Sequence, residues 1–420
     1  MTLGLGARLG LLGGAPGFRL LFLATLASSL GTWLALVALV VDVYDRTGDA
    51  TWVSALLIVE FLPIVVVGLL AGPLVDRLPR RSILVGADLA RLAVFCVLPF
   101  AAGALQIVLL ALAAGIATSF FRPALYAGLP NLVGDEDLPQ ANGLLQSADN
   151  LTWALGSLAG GALVAATSPD AAYWLNAATF LGSALLILRI RGTFEEAERE
   201  PSRGQLRDLV EGFGLVVRSR PLLTVLVAWS IVMLGNAGVT VAEVVLAKED
   251  FDAGDFGYGL LLAATGVGLV VGSLYGSTWI EQRGMRPTYA VSIGLMALGF
   301  GAAAAAPNVW VAAALVAFAG IGNGAAIVCN ALLVQRGAPD RLRGRAFTVV
   351  MSVGFGILGL GMAAAGPLTN QAGARTVWAI AGGLYAGAAV VGFLMLRRVE
   401  DRAGAPTAER TRPVEESAPV

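Results

Sequence analysis

Residues 52–81 read WVSALLIVEFLPIVVVGLLAGPLVDRLPRR, an apolar run that is broken by one glutamate and ends in arginines. A helix of about 20 apolar residues is long enough to cross the hydrocarbon core of a bilayer. Arginines next to such a helix mark its cytoplasmic side. The stretch therefore predicts a transmembrane helix at 52–75, with Arg77, Arg80 and Arg81 in the cytoplasm.

The same pattern continues along the whole chain. Roughly twelve apolar stretches of this length are present, and every second gap between them carries the basic residues. The 420 residues are 57% hydrophobic and 14% charged, with a mean hydropathy of +0.77, which is too apolar for a soluble protein of this length. We predict an all-α, multi-pass protein of the cell membrane with both termini in the cytoplasm. The predicted transmembrane helices, numbered 1 to 12, are 19–42, 52–75, 82–103, 106–132, 139–167, 171–190, 221–247, 256–281, 286–306, 309–335, 341–367 and 374–397.

A polar segment at 191–220 divides the predicted helices into six and six, which indicates bundles at 1–190 and 221–400. Within the segment, apolar residues recur at helical spacing among charged neighbours, which predicts a short amphipathic helix on the cytoplasmic membrane surface. Those residues are Leu206, Leu209, Val210, Phe213 and Val217. Residues 401–420 are rich in Pro, Glu, Arg and Ala and are expected to be a disordered cytoplasmic tail.

The two halves resemble each other. Three residues of helix 2 recur 204 positions later in helix 8, and the same offset places Leu138, before helix 5, on Leu342, before helix 11. The matched residues are Gly68, Leu70 and Gly72 with Gly272, Leu274 and Gly276. Parallel repeats of this kind place a transporter's binding site between the two halves.

The composition bears on several other classes of function. The net charge of −1 gives no reason to expect a nucleic-acid partner. Cys96 and Cys329 lie in apolar stretches, so we expect no disulfide. The chain has no histidine, and its sequence contains neither a metal-ligand cluster nor a nucleophile–base pair of the usual kinds. We expect no enzyme activity, no cofactor and no metal site.

A charged loop joins predicted helices 2 and 3. Residues 72–81 read GPLVDRLPRR and resemble the loop signature of the major facilitator superfamily, Gly-x-Leu-x-Asp-Arg-x-Gly-Arg-Arg/Lys. The resemblance implies a major facilitator fold, in which this loop latches the two halves in the outward-facing state. The gating residues that it implies are Gly72, Asp76, Arg77, Arg80 and Arg81, with Asp76 as the latch acid.

Further motifs resemble macrolide-efflux-type drug antiporters and related siderophore exporters. They are Thr47-Gly48-Asp49-Ala50, Leu62-Pro63, Asp88-Leu89-Ala90-Arg91, Phe121-Arg122-Pro123-Ala124 and Arg343-Gly344-Arg345. Residues 156–161, GSLAGG, are similar to the antiporter signature Gly-Pro-x-x-Gly-Gly, with Ser157 in place of proline. Small-residue helix packing alone could also select such glycines. The resemblance implies export in exchange for protons.

Ionisable side chains at membrane depth are expensive and indicate functional sites. Asp149 lies about ten residues into helix 5, roughly 15 Å along the helix and near the bilayer midplane. Asn142, Gln146, Asp149 and Trp153 share one helix face. Either this acid binds a proton or cation beside a substrate platform, or it is a buried acid paired with arginine.

Other charges have separate interpretations. Arg122 in helix 4 needs a counter-charge, for which Asp149 and Glu243 are available. Glu60 in helix 2 has no nearby arginine in sequence and is a candidate for proton coupling. Asp42 and Glu243 are further candidates for coupling, although their positions near the outer surface favour solvated residues at the mouth. The residues Asp88 and Arg91 are three apart on helix 3 and predict a structural ion pair.

Polar stripes run along helices 1, 4, 7 and 10, the helices that line the central cavity in the superfamily. A lipid-facing stripe would be costly, so these residues are predicted to face water or protein. With the helix 5 residues and two tryptophans, the predicted cavity and substrate residues are Thr25, Ser29, Thr32, Trp33, Thr118, Arg122, Tyr126, Gln146, Trp153, Asn236, Thr240, Asn323 and Asn330.

The function predicted from the sequence is secondary active export of an amphipathic organic compound by alternating access, in exchange for protons. Drug-like, macrolide or siderophore-type cargo fits the resemblance, and the protein is expected to act as a monomer in the bilayer. A mover of lipids or lysophospholipids and an importer of the same fold remain alternatives. A non-transporting membrane scaffold is a further alternative, but it would not need several buried carboxylates.

Overall fold

The computed structural model describes residues 10–70, 78–134, 136–190, 205–339 and 342–403, with backbone alone for 64–70, 205–210 and 398–403. Every regular element in these ranges is helical. The long helices and the linker helix are α1 Pro16–Thr47, α2 Ala50–Leu70, α3 Arg80–Val97, α4 Ala104–Gly128, α5 Leu138–Ala166, α6 Pro169–Leu188, the linker helix Gln205–Arg218, α7 Arg220–Val245, α8 Gly254–Arg283, α9 Met285–Ala303, α10 Val309–Gly337, α11 Arg343–Ala372 and α12 Ala374–Ala403.

Nine helices in the described part of the chain are long and apolar enough to cross a membrane. The long helices outside that set are α2, α5 and α9. Only Ala50–Pro63 of α2 counts as an apolar helix, while α5 carries a polar face and α9 has just 19 residues with an arginine at its second position. The chain is therefore a multi-pass helical membrane protein, and the total of twelve spans stays a prediction.

Several helices are longer than their apolar cores. Predicted helix 1 ends at residue 42, whereas α1 continues to Thr47 because Arg46 pairs with Asp42 one turn earlier. Gly48 then ends α1 in the left-handed conformation, at φ 61°. The last helix extends to Ala403, so the predicted tail begins at least three residues later than expected. Residues 404–420 lie outside the described ranges.

The loops alternate between two ends of the helices. The basic end carries Arg80, Arg81, Arg283 and Arg336, and the basic-poor end carries the turn at 47–50 and the opposing loops. At the basic-poor end, α7 continues into a π-helical turn, Leu246–Asp250, closed by a hydrogen bond from Phe251 N to Leu246 O. The basic loops thus lie at one end of the helices, as their alternation in the sequence predicts. The assignment of this end to the cytoplasm stays a prediction.

Two helix pairs make the most extensive contacts between the first six long helices and the last six. They are α5 with α8 and α2 with α11. A Cβ built on Gly259 of α8 would lie 2.6 Å from the backbone oxygen of Ser157 on α5, and one built on Gly366 of α11 would lie 2.7 Å from the Thr51 Cα on α2. Because such contacts leave no room for a side chain, both pairs pack backbone to backbone near the basic-poor end.

The linker helix forms where the apolar spacing predicts it, but it does not lie on a membrane surface alone. One face packs on α11, with Val216 fully buried and Gly212 next to the backbone of Arg345. Glu211 and Arg345 form an ion pair at this contact. Phe213 is on an open face and is half exposed. The sequence did not predict this docking because its partner is more than 120 residues away.

Candidate functional site

A polar cluster joins α1, α4 and α5 within the membrane-spanning part of the fold. Ser29 on α1 donates a hydrogen bond to Asp149 Oδ1 on α5, with 3.1 Å between the oxygens. Arg122 Nη2 on α4 lies 3.4 Å from Asp149 Oδ2. Of the two acids that the sequence offered as counter-charges for Arg122, the structure places Asp149 beside it. We call Ser29, Arg122 and Asp149 the central cluster.

Two tryptophans stack one helical turn from the central cluster. Trp33 follows Ser29 by four residues on α1, and Trp153 follows Asp149 by four residues on α5. Their ring centroids are 5.3 Å apart and their planes are 16° apart, so the rings are nearly parallel. The structure therefore brings the predicted polar and aromatic residues of helices 1 and 5 onto one continuous surface.

Glycines explain why α5 can approach α1 so closely at this site. A Cβ built on Gly156 would lie 2.8 Å from Trp33 Cβ, and one built on Gly160 would lie 2.7 Å from Leu34 O. Gly161 faces the other way and contacts Gly259 of α8, where an added Cβ would lie 2.8 Å from the Gly259 Cα. The GSLAGG segment thus packs α5 between α1 and α8.

Exposure identifies the side of the central cluster that faces water. The side chain of Arg122 is 55% exposed, and that of Asp149 is 17% exposed. Tyr126, one turn from Arg122, and Gln146, near Asp149 on its helix face, are also exposed. These exposed side chains lie on one side of the central cluster, and a guanidinium that faced lipid there would be very costly.

Three threonines that were predicted to line the cavity donate hydrogen bonds to backbone oxygens of their own helices. Thr25 donates to Leu21 O, Thr32 to Ser28 O and Thr118 to Ala114 O. Each threonine lies near the central cluster in sequence, but its O–H is already used one turn back along its helix. Their remaining capacity is as hydrogen-bond acceptors.

The predicted stripes on helices 7 and 10 are divided between two environments. Asn236 on α7 accepts a hydrogen bond from Tyr385 on α12, and Asn330 on α10 accepts one from the fully buried Tyr289 on α9. Asn330 is 8% exposed and faces the C-terminal helices, so of the predicted alternatives of water and protein it faces protein, and its role toward a substrate stays a prediction. Thr240 is half-buried on α7. The Asn323 Oδ1 atom is buried without a hydrogen-bond partner among the described residues.

The acids predicted to lie at the mouth are not solvated. Asp42 is buried and accepts hydrogen bonds from Arg46 Nε at 2.6 Å and from Tyr173 Oη at 2.9 Å. Glu243 is 3% exposed, and its Oε1 has no hydrogen-bond partner within the described ranges. Both predictions of a solvated position are wrong, because both side chains lie within the packed helices, that of Asp42 against Tyr173 of α6. Glu60 is half-buried on α2.

Asp88 and Arg91 form the ion pair that their spacing predicts. Arg91 Nη2 lies 2.5 Å from Asp88 Oδ1, and both side chains are buried. The guanidinium carbon of Arg91 also lies 4.5 Å from the ring centroid of Phe121 and 4.3 Å from that of Phe180. Cation–π contact and the ion pair together compensate a charge that would otherwise be expensive in the core.

The predicted gating loop is only partly described. Gly72, Asp76 and Arg77 lie outside the described residues. Arg80 donates to Ala127 O at 2.8 Å, and Arg81 donates to Leu188 O, so both arginines hold the start of α3 against the ends of α4 and α6.

A set of polar contacts at the basic-poor end was not predicted. Tyr44 donates to Glu249, Lys248 pairs with Asp45, and Asn370 Nδ2 donates to Asp49 Oδ1 at 2.5 Å. We call these six residues the clasp, because each contact joins one of the first six long helices, or the turn after α1, to one of the last six or the π turn. In sequence, these residues look like ordinary charged and polar residues of loops and helix ends, and only their long-range pairing distinguishes them.

Asp49 of the clasp lies in the turn between α1 and α2, outside the membrane-spanning helices. Hydrogen bonds from the Asn370 amide and from the Thr51 backbone N–H stabilise its carboxylate. They lower the pKa of Asp49 below its usual value, the Asn370 bond contributing most.

Comparison with known proteins agrees with this architecture. The sequence profile of MFS_3, described as transmembrane secretion effector, matches residues 14–418. The chain belongs to the MFS_3 family. The predicted resemblance to efflux transporters of the major facilitator superfamily is thereby confirmed, and the protein is a transporter rather than an enzyme.

Relatives of this MFS_3 protein include named efflux pumps. The multidrug efflux pump Tap of Mycolicibacterium fortuitum is 27% identical over 368 residues, covering 84% of this chain and 89% of Tap. BacE of Bacillus subtilis (strain 168), named as a candidate bacilysin exporter, is 26% identical over 341 residues, covering 80% of this chain and 84% of BacE. The crystal structure of the nucleoside transporter NupG superposes with a TM-score of 0.74 at 15% identity, covering 91% of this chain and 99% of NupG, which shows a shared fold.

Proposed function

We propose that this MFS_3 protein exports an amphipathic organic compound across the cell membrane in exchange for protons. The observation that carries the proposal is the central cluster. It places a water-facing cation and a partly buried acid beside stacked aromatic rings at membrane depth. Relatives named as a multidrug pump and as an exporter support the outward direction of transport.

Alternating access is the transport mechanism we propose. In it, α1–α6 and α7–α12 move as two bundles, with both termini in the cytoplasm and one chain acting as a monomer. Clasp contacts and the α5–α8 and α2–α11 pairs support an arrangement closed at the basic-poor end. Water-facing Arg122 supports access to the central cluster from the basic end.

Proton coupling is proposed to use acids within the spans. Asp149 is the first candidate, because binding a proton there would weaken its contact with Arg122 and change the surface offered to the substrate. Glu243, buried with an unpartnered oxygen, and Glu60 are the other candidates. Asp42 is the weakest, because Arg46 and Tyr173 already hold its carboxylate.

The test uses purified full-length protein in proteoliposomes with an imposed pH difference. We expect uptake of at least one compound from a broad panel of drug-like amphipaths, acidic, neutral and basic, that follows the proton gradient and stops when a protonophore collapses it. Asp149→Asn, Glu60→Gln and Glu243→Gln should each retain the fold, and at least one should transport without dependence on the gradient. Glu136→Gln, at an exposed loop position, is the matched control. Gradient-independent transport by the wild type, or no transport of any compound in a broad panel, would overturn the proposal.

A further inference from the structure

In the central cluster, both carboxylate oxygens of Asp149 have protein partners, whereas the Arg122 guanidinium makes a single long contact. Arg122 contacts Asp149 through Nη2 alone, at the long distance of 3.4 Å, and no other hydrogen-bond partner for its guanidinium is present among the described residues. Its side chain is 55% exposed. A guanidinium carries five N–H donors, so most of its donors remain open.

The contrast with Arg91 shows that this openness is not a general property of the intramembrane arginines. Arg91 lies 2.5 Å from its acid, its side chain is 5% exposed, and two aromatic rings cover it. It has no accessible edge on which to bind a ligand. Arg122 has such an edge.

Asp149 is occupied where Arg122 is not. Ser29 donates to its Oδ1, Arg122 contacts its Oδ2, and the side chain is only 17% exposed. A cationic ligand would have to displace Arg122 from this carboxylate and then remain close to the displaced positive charge. An anionic ligand could bind the open edge of Arg122 while both contacts of Asp149 stay in place.

The tryptophan pair adds a requirement for an aromatic group. Trp33 and Trp153 lie four residues beyond Ser29 and Asp149 on the same helix faces, about 6 Å along the axes. The Trp153 Nε1 atom is buried and has no acceptor within the described ranges. A ligand that spans both features would therefore carry an acidic group roughly one helical turn from a flat ring.

We infer that the central cluster selects aromatic compounds that carry a carboxylate or similar acidic group, with Arg122 as the residue that determines this specificity. The inference rests on the proposed function and names the class of cargo. The carboxylate binds the unused N–H donors of Arg122, and the ring packs against the stacked tryptophans.

The experiment compares three probes that share one ring system: 1-naphthaleneacetic acid, 1-naphthaleneacetamide and 1-naphthylmethylamine. Binding to the full-length protein in nanodiscs is measured by equilibrium dialysis. We expect the acid to bind about tenfold or more tighter than the amide and the amine, the range that a charge-assisted hydrogen bond provides. Arg122→Gln should remove this preference, while Arg122→Lys should keep part of it.

Two further variants separate recognition from a general effect on folding. Asp149→Asn removes the competing carboxylate from Arg122, so the acid should bind at least as tightly as to the wild type; a purely structural role would weaken it. Arg283→Gln, at an exposed position of the basic end, should change nothing. Equal or undetectable binding of the three probes, tighter binding of the amine, or an acid preference that survives Arg122→Gln overturns the inference.

Failure of this inference can be distinguished from failure of the proposed function. Gradient-driven export in proteoliposomes without preference for the acid would leave export standing and end the inference on cargo. Preferential binding of the acid with no transport of any compound would support the inference on cargo and contradict the proposed export.

Discussion

At the scale of single residues, burial and pairing distinguish charged residues with a structural role from those proposed to bind protons or substrate. Asp88 and Arg91 are buried, tightly paired and covered by aromatic rings. Arg122 and Asp149 are further apart and more exposed. A buried pair contributes little to net stability but is costly to break, whereas an open pair can exchange partners.

The buried pair gives the first prediction. Asp88→Ala should destabilise the protein by about 3–5 kcal/mol, because it leaves the Arg91 charge uncompensated in the core. The measurement is the loss of ligand-free folded protein on heating in detergent. The double variant Asp88→Leu/Arg91→Met should be much closer to the wild type. Equal losses for the single and the double variant would contradict a role as a compensated pair.

A pH dependence follows from Asp49. Its pKa is lowered in the folded protein by the hydrogen bonds from Asn370 and Thr51, so the stabilisation is fully present above the usual aspartate value of about 4. It is lost as the pH falls through the lowered pKa. We expect the thermal stability of the wild type to fall more steeply below about pH 4 than that of Asp49→Asn, measured across pH 3–6. Parallel curves for the two proteins would show that the Asp49 contact contributes nothing.

At the scale of helices, glycines decide which elements touch. Gly161 and Gly143 both lie on α5, but only Gly161 is in contact with α8; an added Cβ at Gly143 would meet open space. The GSLAGG segment therefore has a packing role between α1 and α8, whichever role it has in antiport. The all-helical class and the approximate bounds of the described helices could be predicted, because apolar length and arginine position report directly on the bilayer.

Substitutions at Gly161 and Gly143 provide a matched test of the α5–α8 contact. Gly161→Ala should force α5 and α8 apart, because its Cβ would lie 2.8 Å from both Asp255 O and Gly259 Cα. A cysteine at the buried Ser157 position, in a Cys96→Ser/Cys329→Ser background, should then react severalfold faster with an impermeant thiol reagent. Gly143→Ala should leave the rate unchanged. Equal rates in the two variants would argue against the α5–α8 contact.

At the scale of the whole molecule, the sequence predicted the class of fold and singled out the residues of the central cluster, leaving Asp149 and Glu243 as alternative partners of Arg122, but it did not predict the clasp. Arg122 and Asp149 were recognisable because a charge inside an apolar stretch needs a partner. Lys248 and Asp45 were not, because each is an ordinary charge at the end of a helix and their pairing is a property of the tertiary fold. Asn330 shows a related restriction: periodicity places it on a polar face, but does not distinguish a cavity from a neighbouring helix.

Lys248 gives the prediction at this scale. It pairs with Asp45 on α1 and, at 2.6 Å, with Asp255 on α8. Lys248→Gln should weaken closure at the basic-poor end and lengthen spin-label distances across it, while Lys248→Arg should keep the wild-type distribution. An unchanged distribution for Lys248→Gln would show that the helix contacts alone keep this end closed.

The π turn at Leu246–Asp250 has a consequence for how such a transporter could be disabled. Three consecutive side chains there meet three separate partners: Lys248 meets Asp45, Glu249 meets Tyr44, and Asp250 meets Arg375 at 3.0 Å. A π turn closes its hydrogen bond over one residue more than an α turn, so removing one residue would restore ordinary α-helical winding and displace the side chains within the turn from their present partners. One codon lost could thus undo contacts that point mutations would have to dismantle one at a time.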